Sequence, residues 1–258
     1  MRDVPVPRKK TFWVWARICP TYHSIVGSMN NLESRLRATV EYLCKSERNT
    51  GRCPEGLHAA ADFLESAFHG LGLNAIKQEF MADGVACSNV EAVAPSYAGH
   101  DSPHLVIGAH YDSVEGTVGA DDNASAVAVL VEVARLVKDD ASISKIRFVA
   151  YANEEPPHFT QATMGSRVHA KACRARGDKI AGMICLESLG VFTSEAASQS
   201  LGLLGFFDIP EELERLCRLC GIDPTVGNFL AIVGNEPSRD FLSSFDSAFK
   251  RDCKLPAL

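Results

Sequence analysis

The sequence predicts an α/β domain, and three observations carry that prediction. Strand-like apolar runs alternate with helical patterns from residue 31 onward. Three of these runs end in ionisable side chains. Leu105–Val106–Ile107 leads to His110 and Asp112, Ile146 to Tyr151 leads to Glu154–Glu155, and Gly182 to Leu186 leads to Glu187. Finally, 258 residues fit one such domain, since single cores grow to about 250–300 residues before dividing.

Taken in order, residues 1–31 hold Pro5, Pro7 and Pro20 without a sustained period and are expected to be an irregular leader. Arg8–Lys9–Lys10 precedes a short apolar run, but Arg17 interrupts it before a small-residue cleavage site, so it is not read as a signal peptide. Asn31 is the expected cap of a helix running to Cys44, with Leu32, Leu36, Val40 and Leu43 at helical spacing. After a loop from Ser46 to Gly56, a second helix is expected from Leu57 to Leu71, stopped by Gly70 and Gly72. Asn74–Met81 and Ser88–Ala94 read as strands around the turn signal Asp83–Gly84. His104–Ala109 is the next strand. The helix from Asn123 to Lys138 is apolar on nearly all sides, which places it in the interior. A strand over 146–151 is followed by Pro156–Pro157, which cannot continue it, so His158 is expected in a solvent-facing loop. A basic helix Ser166–Arg176, a strand Lys179–Glu187, a helix Pro210–Cys220 and a strand Phe229–Val233 complete the reading.

The net charge of −6 argues against nucleic-acid or anionic-membrane partners, which call for basic patches. No apolar run reaches the length of a membrane span. Nine cysteines, an odd number without a regular framework, suit a reducing compartment. A cytoplasmic location is therefore expected over a periplasmic or secreted one. Cys217 and Cys220 form a lone CxxC within a helical pattern and are read as structural.

Taken singly, the polar strand ends are ordinary: a His at a strand terminus is usually a boundary residue, and Asp–Asn before a helix is usually an N-cap. Jointly they place an imidazole and several carboxylates at one sheet edge. That is where open α/β sheets carry their chemistry and the donor set a cation such as zinc requires.

The segments GAHYDS (108–113), GADDNASA (119–126), FVAYANEE (148–155), Gly165–Ser166 and ICLESLG (184–190) resemble, in order and spacing, the zinc-dependent exopeptidases of the aminopeptidase Y and bacterial leucyl aminopeptidase type. The resemblance implies a three-layer α/β/α sandwich with a mixed, mostly parallel central sheet, residues 32–258 forming the catalytic domain. It also implies two zinc ions. His110 and Glu187 would bind the first, Asp122 would bridge both, and Glu155 would bind the second. Glu154 would be the general base and Asp112 the carboxylate that orients His110. The implied substrate is a peptide with a free N-terminus; nothing in the sequence sets an oligomeric state. The family carries a further histidine ligand near its C-terminus, whereas this chain has no histidine beyond His169 and carries Ser247 in the segment that resembles the approach to it. A truncated C-terminus, a weakened second zinc site and impaired activity are the expectation, and whether Ser247, Cys253 or His158 serves the second site as a makeshift donor is left open. Two other readings share the motifs: a single-zinc glutaminyl cyclase and a catalytically silent homologue that binds peptide or protein.

Overall fold

A computed structural model describes residues 31–198, 215, 217–253 and 255–257. The leader and most of the helix expected over 210–220 lie outside the described residues. The chain divides into two compact units, one ending at Glu187 and one beginning at Ser188.

In the first unit, helix α1 spans Leu32–Leu43 as its periodicity predicts, although the Asn31 side chain makes no capping bond. Helix α2 covers Pro54–Gly70 and starts before the expected Leu57. Proline suits the first helical position, where its missing N–H is not needed, so the turn began at Pro54. Its inner face buries Leu57, Ala60, Ala61, Leu64 and Phe68. Strands β1 (Asn74–Ala82) and β2 (Val85–Val93) form an antiparallel hairpin. Asp83 and Gly84 at its tip have φ of 49° and 82°, the mirror-image turn that matches the twist of paired strands.

Strand β3 is His104–His110, helix α3 Ala126–Val137, strand β4 Ile146–Tyr151, helix α4 Gly165–Arg176 and strand β5 Ile180–Cys185. The sheet order is β1-β2-β4-β3-β5. β1, β2 and β4 pair antiparallel, while β3 pairs parallel with both β4 and β5. The mixed sheet that the resemblance implies is thus present, with two parallel and two antiparallel pairings rather than mostly parallel ones, and its parallel part holds the three strands that end in ionisable residues. Successive side chains of β4 reach opposite layers, as a pleated strand requires. Phe148 stacks against Phe68 of α2 at 6.3 Å, and Arg147 reaches Cys173 Sγ of α4 at 3.4 Å. α3 packs against α1, α2 and β3 on the Phe148 side. Helix, sheet and helix therefore form three layers.

α3 departs from expectation in one respect. Val127, Leu130, Val131 and Ala134 are buried, but Leu136 is 47% exposed, so the helix presents a wide apolar stripe rather than an apolar surround. Its buried Glu132 is satisfied by Arg35 at 2.8 Å and Arg135 at 3.1 Å.

In the second unit the strand expected over 229–233 is reduced to a single bridge between Leu230 and Ala257. Helix α5, Arg239–Asp252, was not anticipated; Phe245 and Phe249 stack along it at 6.5 Å. All eight described cysteines are free. Among the described residues, no helix is long and apolar enough to cross a membrane.

Candidate metal centre

Because β3, β4 and β5 run parallel, their C-terminal ends open on one edge of the sheet. His110, the last residue of β3, is 3% exposed. Its Nδ1 lies 3.2 Å from Asp112 Oδ1. Its Nε2 faces three acids: Asp122 at 3.0 Å, Glu187 at 3.6 Å and Glu154 at 3.8 Å. One donor atom each from His110, Asp122 and Glu187 falls within 4.8 Å of the others, and the same holds for His110, Glu154 and Glu155. All six residues singled out in the sequence thus meet at one place.

Local sequence explains how each arrives. Asp112 is buried and accepts two main-chain hydrogen bonds, from the N–H of Glu154 at 3.0 Å and of Glu155 at 2.9 Å. One carboxylate therefore orients the imidazole and also docks the acidic pair. On a continuing extended backbone Glu154 and Glu155 would face opposite ways; instead both approach His110. Asn153 has φ of 59°, a turn that ends the strand's alternation before the pair begins. The Gly165–Ser166 motif buttresses this turn. Gly165 N–H donates to Ala152 O at 2.8 Å, and a Cβ there would lie 2.2 Å from that oxygen.

Asp122 sits in an irregular turn, Ala120–Ser125, whose Asp122 and Asn123 are not helical, so the regular helix begins at Ala126 rather than Asn123. Gly119 opens the turn at φ 54°, and a Cβ on it would lie 2.3 Å from Asp122 O. Neither Asp122 nor Asn123 is the helix cap. Asn123, fully buried, donates to Leu186 O and to Glu187 Oε2, both at 3.1 Å. It ties the end of β5 to the turn that carries Asp122. Sequence reasoning missed it, and the available signal was only an amide directly after two acids. Asp121 is outside both donor groups; its Oδ1 accepts from Ser125 Oγ at 3.3 Å.

His158 corrects an expectation. It is 4% exposed rather than solvent-facing, with Nε2 on Thr50 Oγ1 at 2.8 Å and Nδ1 on Thr163 Oγ1 at 3.0 Å. Both ring nitrogens are engaged, so it is no substitute donor in this arrangement. Ser247 and Cys253 belong to the second unit.

The electrostatics follow from crowding. Burial opposes charge on His110, but its hydrogen bonds to the carboxylates of Asp112, Asp122 and Glu187 raise its pKa well above the ordinary imidazole value. The bond to His110 holds Asp122 below the usual carboxylate range. Burial, with the neighbouring acids, pushes Glu154 up to about 6 and Glu155 up to about 7. One imidazole and four carboxylates around a common point are more negative charge than a single proton on His110 balances. Mixed nitrogen and oxygen donors of this kind fit a divalent cation such as zinc.

Residues 89–205 match Peptidase family M28. The chain is 34% identical over 209 residues to the uncharacterized protein YfbL of Escherichia coli, a match covering 78% of this chain and 59% of that one. A shorter match, 47% identical over 54 residues, is to aminopeptidase YwaD of Bacillus subtilis, covering 20% of this chain and 12% of YwaD. Among solved structures, the LapA aminopeptidase of Legionella pneumophila is similar in fold, with a TM-score of 0.65, 14% identity, and coverage of 98% of this chain and 60% of LapA. A glutaminyl cyclase of Porphyromonas gingivalis gives a TM-score of 0.52, 18% identity, and coverage of 76% and 72%. The chain thus spans about three-fifths of the length of YfbL and LapA.

Proposed function

We propose, from the match of residues 89–205 to Peptidase family M28, that the protein is a zinc-dependent aminopeptidase acting on peptides with a free N-terminus. The observation carrying this reading is the convergence of His110, Asp122, Glu154, Glu155 and Glu187 at the ends of three parallel strands. His110, Asp122 and Glu187 would hold one zinc ion, three protein ligands being the usual catalytic set. Asp122 and Glu155 would hold a second, and with two ligands among the described residues against three for the first, it is the ion expected to leave first on dialysis.

When bound, zinc supplies Lewis-acid chemistry, acidifying water and polarising the substrate carbonyl. The protein supplies the rest. Asp112 keeps the Nδ1 proton of His110 in place, so that Nε2 presents its lone pair to the site. Glu154, its carboxyl raised to about 6 chiefly by burial, is suited to accept a proton near neutral pH and to return it to the leaving amine. Asp122 and Glu187 are half-exposed, which leaves the centre open to the N-terminus of a peptide.

The test is turnover of aminoacyl anilides, with and without chelator, alongside N-terminal glutaminyl peptides. Anilide hydrolysis that chelator abolishes and zinc restores is expected. Glu154→Gln should keep zinc but lower turnover by about 10²-fold or more. Cyclisation of the glutaminyl peptide without anilide release would make the protein a cyclase, and turnover of neither would leave a peptide-binding homologue.

A further inference from the structure

We propose that Arg48 is a positioning residue for this centre: its buried guanidinium holds the two main-chain turns that aim His110 and Asp122. The inference rests on the metal-centre reading above and adds to it a residue outside every motif.

Arg48 lies on the connection between α1 and α2 and is 1% exposed. A buried cation usually has a carboxylate partner, yet none pairs with Arg48 among the described residues. The guanidinium instead donates to main-chain carbonyls. Nε bonds Tyr111 O at 2.6 Å, one terminal nitrogen bonds Leu43 O at 2.6 Å and Val118 O at 2.7 Å, and the other bonds Gly119 O at 3.2 Å. The main chain of Arg48 adds two bonds to the same loop, N–H to Ser113 Oγ at 3.0 Å and O from Ser113 N–H at 2.9 Å.

The placement of those carbonyls is the point. Tyr111 directly follows His110, and Val118–Gly119 shortly precede Asp122. One planar fork therefore clamps both ends of the loop whose flanks carry two candidate ligands in direct contact, Nε2 to Oδ1 at 3.0 Å. Guanidinium has five donors in fixed directions and can serve several carbonyls at once; an ammonium has three on a flexible stem. The same segment reaches the opposite wall of the centre as well. Thr50 bonds His158, whose N–H donates to Glu155 O at 3.0 Å.

The experiment uses the full chain with Arg48→Lys, and Arg35→Met as a control that breaks the ion pair between α1 and α3. Zinc affinity is measured by chelator competition, and the visible spectrum of the cobalt-loaded protein reports ligand geometry. Arg48→Lys should unfold cooperatively but bind zinc about 10- to 100-fold more weakly, the usual cost of losing a group that orients ligands, with a shifted cobalt spectrum. Arg35→Met should melt at lower temperature with zinc affinity within about twofold. Should Arg48→Lys not fold, Ser113→Ala, which keeps the buried charge, decides: weaker zinc binding and an altered spectrum support the role. Zinc affinity and spectrum unchanged in the variant that folds overturn it. An unsubstituted chain that binds no zinc would instead overturn the metal-centre reading itself.

Discussion

At His110 a proton and the proposed metal ion would compete for the same lone pair. Asp112, Asp122 and Glu187 raise the imidazole's pKa against the effect of burial, and Glu155 is pushed up to about 7 by burial and Asp122. A cation needs Nε2 bare and the carboxylates ionised. The sign is therefore fixed: protons occupy the donors below neutrality and must leave as zinc enters. Zinc affinity should fall as pH drops from 8 to 6, and calorimetry in two buffers of different ionisation enthalpy should show proton release near pH 7. A pH-independent affinity would contradict the assigned donors. Asn123 tests the other side of the centre. Its amide holds the Glu187 carboxylate at 3.1 Å, so Asn123→Ala should weaken zinc binding about 10- to 100-fold in the same titration. The ligand types were legible because strand ends and acids are local features. Asn123 and Arg48 were not, since their partners stand far along the chain and only folding shows which carbonyls they meet.

Elements were legible where one short-range signal dominates. β4 begins and ends where its apolar run does, and the hairpin turns at Asp83–Gly84. α5 was missed even though Phe241, Phe245 and Phe249 recur at helical spacing, because Ser243, Ser244 and Ser247 between them are weak helix formers. β5 ends at Cys185 rather than Glu187, which frees the acid to turn toward His110. α3 shows what periodicity leaves open: nearly every position is apolar, so the sequence does not say which face is outward. Leu130 is fully buried and Leu136 about half exposed. Leu130→Ala should cost about 2–5 kcal/mol in urea unfolding, and Leu136→Ala less than about 0.5 kcal/mol. Equal losses would place α3 in the wrong orientation.

For the whole molecule, the layer under α4 is a buried network rather than an apolar core. Arg147, 1% exposed, reaches Asp178 at 2.7 Å, Tyr97 at 3.0 Å and His100 at 2.9 Å. Arg176 adds a bond to Asp178 at 3.0 Å, and Glu91 lies 3.7 Å from both arginines and from His169. Burial would raise the Asp178 carboxyl, but the hydrogen bonds from Arg176 and Arg147 override it and hold it well below the usual range. A carboxylate depressed by folding stabilises above its unfolded pKa, and that contribution is lost as pH falls. The protein should therefore lose stability below about pH 4. Asp178→Asn should cost about 3–5 kcal/mol at pH 7 and flatten the acid limb of the melting profile. An unchanged acid limb would show that the network does not set acid stability.

The sequence by itself determined the fold class, the order of the principal elements and the residue types at the three strand ends, because strand alternation, helical periodicity and turn chemistry act over a few residues. The tertiary structure decided which lone pairs face one another. Parallel pairing of β3 with β4 and β5 brings His110, Glu154, Glu155 and Glu187 to one edge, and the turn ending at Ser125 delivers Asp122 to them. Arg48 and Asn123 then lock that geometry through bonds to residues distant in sequence. Hydrogen bonds between distant segments depend on where folding places both partners, and no local pattern encodes that placement.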